Sequence, residues 1–504
     1  MISDKTTEVR QDATLANNAG QEWVNLSIEK WFWGLFVVGA LLRLRQYLFN
    51  KSLWLDESAL SLNIIERDFW GLIEPLGYNQ MAPIGFLLST KFPVMAFGPS
   101  EYALRAFALL ASLVGLFFFG KFLKRFNNPT LFVIGFSLFV FSFRLTYYAA
   151  EVKQYASDVM VGSIFLYMYL RKELLQENLL KVALLGILGS LLIWFSHPSI
   201  FILAGIGIFL LLSANLRLIG HWYRLVALGL PWAASFLIEY VLFLGKDPNN
   251  EGMQAYWQHA FAPFPPQGFG DFEWYLNSIE EIFFYTVGIG YAGQLLLLLA
   301  LVAVWSGLAK KDFRPLGLLT PLLLLYLASA FKMYPLSQRL LLFLTPLVAA
   351  LLAWGAWAMI SHLSSLALQR IVLAFLFVQP LLFTAACFVK PIQEEEIREV
   401  LAHYQKEHQE GDAIFLYHQS EMPFRYYQER FVEEGTNVEV GPEQFSEAAY
   451  AQQIAQLEGS GRIWMIITHD YAGHEQFIVE QAKLNGTLLQ KKIAKGAAAY
   501  LFEF

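Results

Sequence analysis

The chain has 504 residues, of which 56% are hydrophobic, 16% aromatic and only 15% charged, and its mean hydropathy is +0.43. Soluble domains carry about 25% charged residues, so this composition excludes a chain of several water-soluble domains and points to a polytopic membrane protein. The net charge of −6 is uneven: from Lys390 onward acids outnumber bases 19 to 10, which sets the tail apart as an acidic body and gives no sign of nucleic acid as a partner. The single cysteine, Cys387, lies in an apolar run, which excludes a disulfide framework and a thiol zinc site.

Residues 1–27 are polar and lack a cleavable secretory pattern, so the first apolar run, Trp31 to Leu42, reads as an uncleaved anchor. A bilayer crossing needs about 20 apolar residues. By that ruler, spans follow near Tyr102 to Phe122, Thr130 to Tyr148 and Ala156 to Leu170. The charge-free stretch Val182 to Leu216 is long enough for two, with His197-Pro198 at the turn. Leu225 to Phe243, Ile282 to Ala309, Pro315 to Phe331, Leu340 to Gln369 and Ile371 to Val389 supply one each. The core, residues 28–390, thus holds about eleven spans.

With the N-terminus in the cytoplasm, the short inner loops collect Lys121, Lys124 and Arg125, then Arg171, Lys172 and Lys181, Arg217 and Arg224, Lys310, Lys311 and Arg314, and Arg370. That is the positive-inside distribution, and an odd number of crossings places the acidic tail outside. Two outer loops are long, 49–101 and 244–281. Within the first, Pro83 to Phe97 is apolar but too short to cross, and is expected to lie along or dip into the interface. Within the second, Pro263, Pro265 and Pro266 argue against a helix. Loops of this length in a compact protein are functional or disordered, and the tryptophans and acids here favour ordered, functional loops.

Residues 391–504 read as a small α/β domain. Ala413 to Tyr417 and Ile463 to Thr468 have the pattern of short buried strands, Glu447 to Leu457 and Glu475 to Leu484 of helices, and Leu488 to Ile493 with Ala498 to Phe502 of a closing strand pair. No Gly-rich phosphate loop is present, and the expected role is structural or acceptor-docking.

This topology gathers polar positions at the outer ends of the spans: Asp56, Glu57, Asn79, Gln80, Arg144, Glu151, Lys153, Tyr155, His197, Lys332, Tyr334 and Arg339. Charged groups beside hydrocarbon face a cavity or a partner, so the collection is a candidate site. Each has a plainer reading. Asp56-Glu57 is either a pair with one carboxylate aimed into a cavity or an acid pair at the start of a helix over Ser58 to Ile65. Glu151 and Tyr155, at i and i+4 with Lys153 pointing elsewhere, offer an acid, a phenol and a cation, or form an interfacial ion pair in a tyrosine belt. Arg339 and Lys332 are ligands or snorkelling residues. His197 before Pro198 reads more readily as a capped helix end than as a ligand. Arg43 and Arg45, at the outer end of the first span, are expected to pair with Asp56, Glu57 or a lipid phosphate.

Leu41-Leu42-Arg43-Leu44 leading into Leu53-Trp54-Leu55-Asp56-Glu57, then Pro83-Ile84-Gly85-Phe86-Leu87-Leu88, Phe97-Gly98-Pro99-Ser100-Glu101-Tyr102-Ala103-Leu104-Arg105, Glu151-Val152-Lys153-Gln154-Tyr155 and Ser337-Gln338-Arg339-Leu340, taken in order and spacing, resemble the membrane glycosyltransferases of the GT-C class. The similarity spans about Trp31 to Val389 and is greatest to bacterial relatives of protein O-mannosyltransferases and of the lipid A aminoarabinose transferase. It implies an α-helical polytopic core with a catalytic Asp on a large first outer loop, in the bacterial cytoplasmic (inner) membrane with the site outside. It also implies a sugar donor on a polyprenyl phosphate and a hydroxyl acceptor on a protein, lipid or glycan. Carried over by position, Asp56 is the general base with Glu57 its acidic neighbour, Glu151 and Lys153 form the acidic-basic turn after the third span, and Arg339 is the cation facing the donor phosphate. The soluble sugar-binding repeats of the eukaryotic mannosyltransferases are absent.

The residue types fit this chemistry independently. A carboxylate such as Asp56 takes the proton of the attacking hydroxyl, and Arg339, Lys153 or Arg105 stabilises the departing phosphate. Glu151, Tyr155, Asn79, Gln80 and His197 complete the substrate-binding set. One base and direct attack invert the anomeric centre. A divalent cation bridging Glu57 and phosphate is compatible with this scheme, but no ligand cluster requires one. The main rival is a transporter or flippase of lipid-linked sugars, which predicts two similar halves with ionisable groups midway across. A third is a non-catalytic scaffold whose outer domain binds a partner. No internal repeat is evident, and the ionisable groups lie at the outer end.

Overall fold

The computed structural model describes residues 2–246, 250–470 and 472–504; within the expected polar tail the side chains of residues 1–23 and 25, and within the second long loop residues 247–249 and the side chains of 246, 250 and 251, lie outside the described residues. The chain divides into two compact units. The helical unit comprises the chain up to Leu48, Met81–Ser89 and Arg105–Pro391; the second comprises Phe49–Gln80, Thr90–Leu104 and Ile392–Phe504.

Among the described residues, five helices are long and apolar enough to cross a membrane: Leu26–Phe49, Glu101–Lys124, Ile219–Leu242, Gln338–His362 and Leu366–Val389. Six shorter apolar helices accompany them, Ile84–Phe97, Pro129–Val140, Leu179–Ile193, Ser199–Ser213, Gly293–Ala309 and Arg314–Ala330. This is an integral membrane fold. Burial ranks the long helices: the most apolar stretch of Gln338–His362 is 89% buried, against 22% for Leu26–Phe49 and 17% for Leu366–Val389. The first is therefore the hub of the bundle, and the other two present leucines and valines outward, as lipid-facing helices do.

The helix break expected at His197-Pro198 is present, between Leu179–Ile193 and Ser199–Ser213. The run Ile282 to Ala309, expected as one span, is instead two helices, Phe269–Val287 and Gly293–Ala309. Gly288 ends the first in the left-handed conformation (φ 78°), its amide donating to Phe284 O and that of Ile289 to Phe283 O, while Ala292 (φ 52°) starts the second. Hydropathy continues across Gly288-Ile289-Gly290, so composition does not register the break. The first of these helices also begins well inside the second long loop, just after the proline segment, and exposes Phe269, Phe272 and Leu276. Thr130 to Tyr148 is likewise divided, into Pro129–Val140 and a short helix Phe143–Tyr148.

In the second unit, β1 (Ala413–Leu416), β2 (Val438–Val440), β3 (Arg462–Thr468), β4 (Thr487–Ala494) and β5 (Ala497–Glu503) form one sheet of order β2-β1-β3-β5-β4. β1 pairs parallel with β2 and β3, and β5 pairs antiparallel with β3 and β4. Both faces of β3 are buried, as its unbroken apolar run requires. Ile463, Met465 and Ile467 pack with Tyr450 and Ile478 of the helices Glu447–Ala455 and His474–Asn485. Trp464, on the opposite face, meets Tyr404 of the helix Ile397–Glu407 edge to face. That helix, the helix Glu421–Phe431 and β2 are additions to the elements read from the sequence.

Helices in lipid associate through close backbone approach at small residues. Gly355 is such a point: a Cβ there would lie 2.0 Å from the carbonyl oxygen of Leu299, so the hub helix and Gly293–Ala309 touch backbone to side-chain-less backbone. Gly355→Ala is expected to destabilise the detergent-solubilised protein by about 1–3 kcal/mol through overpacking. Gly207→Ala, with nothing within 4 Å of its added carbon, serves as control and should leave the melting temperature unchanged or slightly raised; equal effects of the two would contradict the packing.

Candidate active site

Asp56 and Glu57 occupy the first turn of the helix Leu55–Glu66, where carboxylates are favoured by the unsatisfied amides and the helix dipole. A helix starts here as one of the two readings expects, and the two acids differ in burial. Glu57 is fully buried and ion-paired with Lys51, Nζ to Oε2 at 3.0 Å, with both side chains out of solvent. Asp56 is half-buried. The C-terminal end of the same helix is closed by Lys91, whose Nζ donates to Ile64 O at 2.6 Å and Ile65 O at 3.1 Å. Asn63 fastens the following loop by accepting from Gly77 N (2.8 Å) and donating to Gly77 O (3.2 Å). Beyond it Tyr78 and Asn79 are both left-handed (φ 60° and 53°), with Asn79 exposed and Gln80 buried, its amide donating to Tyr78 O.

In the helical unit, Arg105, Glu151, Lys153 and Tyr155 are all buried. Tyr155 opens the helix Tyr155–Tyr169, and its hydroxyl accepts from Arg339 Nε at 3.0 Å. The structure thus joins two expected site residues 184 positions apart. The Arg339 guanidinium also lies 5.9 Å from the Trp257 ring centroid. The turn that delivers Arg339 is held by Glu281, whose Oε1 accepts from Ser337 Oγ (2.9 Å) and Gln338 N (2.7 Å). His197 faces Glu239, Nε2 to Oε1 at 3.4 Å.

Two expectations change. Arg43 takes its acceptors from helices: it is fully buried, with Nε donating to Ser112 Oγ of the helix Glu101–Lys124 at 2.7 Å and Nη1 to Gly39 O, one turn back on its own helix, at 3.0 Å. Arg144 lies over the rings of Phe143, Phe284 and Tyr285, a cation–π arrangement. Asp158 and Glu239, absent from the polar positions at helix ends, are both buried within apolar helices; Asp158 Oδ1 has no hydrogen-bond partner among the described residues. A single acid inside an apolar run is the signal that marks them. No group of three or more His, Cys, Asp or Glu among the described residues is arranged to hold a metal ion.

The fold, a helical membrane unit with a C-terminal α/β body, is one that solved structures share. The chain is similar to ArnT from Cupriavidus metallidurans bound to undecaprenyl phosphate, with TM-score 0.51 and 11% identity over 93% of this chain and 97% of that one. To the same protein in the apo state the TM-score is 0.51 at 12% identity, over 96% and 98%. The Archaeoglobus fulgidus oligosaccharyltransferase in complex with Zn and sulfate aligns at TM-score 0.48 and 11% identity, over 92% and 72%. At these identities the likeness is one of fold. No protein-family model and no curated protein matches the sequence.

The Lys51–Glu57 pair makes a direct prediction. Removing one partner of a buried pair leaves an uncompensated charge, at a cost of about 3–5 kcal/mol. Lys51→Met should therefore lower the unfolding temperature sharply, and the double variant Lys51→Met/Glu57→Leu should recover most of it. Equal loss in both variants would contradict the pairing.

Proposed function

We propose that the protein is a glycosyltransferase of the bacterial cytoplasmic membrane that moves a sugar from a polyprenyl-phosphate donor to a hydroxyl of a protein, lipid or glycan acceptor on the outer face, with inversion at C1. The observation that carries this reading is the likeness of fold to ArnT bound to undecaprenyl phosphate, along nearly the whole of both chains. The charge distribution of the inner loops supports about eleven crossings with the acidic loop and the C-terminal body outside.

Asp56 is the proposed general base. Glu57 is fully buried against Lys51, whereas Asp56 is half-buried, and this difference in access supports giving the proton-accepting role to Asp56. As the acceptor oxygen attacks C1, its proton passes to the Asp56 carboxylate. The bond from C1 to the phosphate oxygen breaks, and its electron pair leaves with the phosphate. Phosphate is a good leaving group, so no general acid is required. Arg339, Lys153 and Arg105 are proposed to stabilise the negative charge that gathers on the departing phosphate. The hydrogen bond from Arg339 Nε to Tyr155 fixes the guanidinium plane in advance, which lowers the reorganisation needed as charge develops. Glu151, Tyr155, Asn79, Gln80 and His197 are proposed to hold the substrates.

The test uses purified protein and the lipid-linked sugar fraction extracted from host membranes, with released undecaprenyl phosphate read by mass spectrometry. Asp56→Asn is expected to slow release about 10²–10⁴-fold, the usual contribution of a positioned base, and to leave undecaprenyl phosphate affinity unchanged; Arg339→Ala is expected to weaken that affinity. Release at the native rate in Asp56→Asn removes the base assignment. Movement of intact lipid-linked sugar across proteoliposomes, without bond cleavage, establishes transport instead.

A further inference from the structure

The segment that delivers Asp56 is held by side chains that follow it by more than 300 positions. Ser52 N donates to Glu396 Oε1 at 3.2 Å, Leu53 N to Tyr427 Oη at 2.9 Å, and Leu55 N to Glu395 Oε2 at 3.1 Å. Ser52 Oγ donates to Glu396 Oε2 at 2.9 Å, and Arg398 donates to Ser52 Oγ and Asn50 O. The helix Leu55–Glu66 has no side-chain cap of its own, since Trp54 stands at the N-cap. Glu395 therefore supplies from a distant part of the chain the acceptor that Ser, Thr, Asp or Asn normally supplies locally. Glu395 is itself engaged by His469 Nδ1, and the His469 ring stacks on Trp54 at 5.9 Å.

These holders are in turn fixed to the sheet. Glu396 N donates to Lys495 O at 2.7 Å, and His469 N to Gly496 O, so the turn between β4 and β5 lies on the backbone of Glu394-Glu395-Glu396. Only glycine fits at 496: its φ is 61°, and a Cβ would stand 2.3 Å from Glu394 O. Tyr427, fully buried, projects from the helix Glu421–Phe431. Three nearly consecutive backbone donors just ahead of Asp56 thus report directly on the C-terminal sheet. A free loop would satisfy the same donors with water and leave the carboxylate to wander.

We propose that Glu395, Glu396 and Tyr427 are positioning residues for the transfer reaction, fixing the backbone that carries Asp56, so that the C-terminal body is part of the catalytic apparatus. This rests on Asp56 acting as the base. Misplacement of a reacting group by about 1 Å costs up to ~10²-fold in rate, so loosening this turn reduces turnover without removing any group that touches substrate.

The experiment combines amide hydrogen exchange with steady-state kinetics on the full-length protein, using the same extracted lipid-linked sugar fraction. Glu395→Ala is expected to speed exchange at Leu55, and to lower kcat by about 10-fold with KM unchanged. Glu395→Gln keeps an acceptor oxygen and should restore both. Tyr427→Phe should speed exchange at Leu53. Amides of β1 and β3 should exchange as in the native protein, which separates this effect from unfolding. Faster exchange at Leu55 with native kcat overturns the proposal, as does native exchange at Leu55 in Glu395→Ala, or loss of activity that Glu395→Gln does not rescue. If Asp56→Asn turns over normally, the base assignment fails on its own, while exchange at Ser52, Leu53 and Leu55 still decides whether these side chains hold the loop.

Discussion

An amide hydrogen with no acceptor is costly wherever water is scarce, and the turn before Asp56 carries three of them in succession. The chain meets that demand with two glutamates and a tyrosine from beyond residue 390. The acids so assembled, Glu395 and Glu396 with Asp56 and Glu57, repel one another, and the cations and imidazole around them make the arrangement tolerable. Lys51 neutralises Glu57, Arg398 reaches Ser52 and Glu101, and His469 engages Glu395. The acidity of the tail, visible in the composition, thus has a local use: several of its carboxylates are acceptors for backbone donors.

The helical unit meets a related demand differently. Its hub helix is almost entirely enclosed, and the segment that precedes it, from Ser337 to Leu344, brings Arg339 out of the apolar interior to the hydroxyl of Tyr155. Glu281 prepares that turn by accepting from the amide of Gln338, which is left-handed (φ 47°). The hydrogen bond to Tyr155 fixes the guanidinium plane, and a guanidinium keeps its charge at any physiological pH.

Much of the scaffold was legible in the sequence because it depends on local signals. The proline at 198 splits a run too long for one helix, and the β4–β5 hairpin follows from two apolar strands around Lys495-Gly496. The helix Ile397–Glu407 was also marked, by Ile397, Val400, Leu401 and Tyr404 on one face, but its polar flanks hide it from a reading tuned to strands. The break at Gly288 is invisible to hydropathy, which stays high across it, although the Gly-x-Gly spacing is its trace. For the candidate site, residue type and topology picked out Tyr155 and Arg339 but not their hydrogen bond. The roles of Glu57 and Glu395 depend on partners, Lys51 and the Leu55 amide, and the second of these is 340 residues away. Periodicity carries no information at that separation, and three consecutive glutamates after a membrane helix look like solvated charge.

The proposed transfer depends most on a lipid phosphate being received by the cation at the head of the hub helix. A structure determined with undecaprenyl phosphate bound tests this directly. The expected result is a phosphate oxygen within hydrogen-bond distance of the Arg339 guanidinium, with the Tyr155 contact retained. A phosphate bound elsewhere, out of reach of the Arg339 guanidinium, would contradict it.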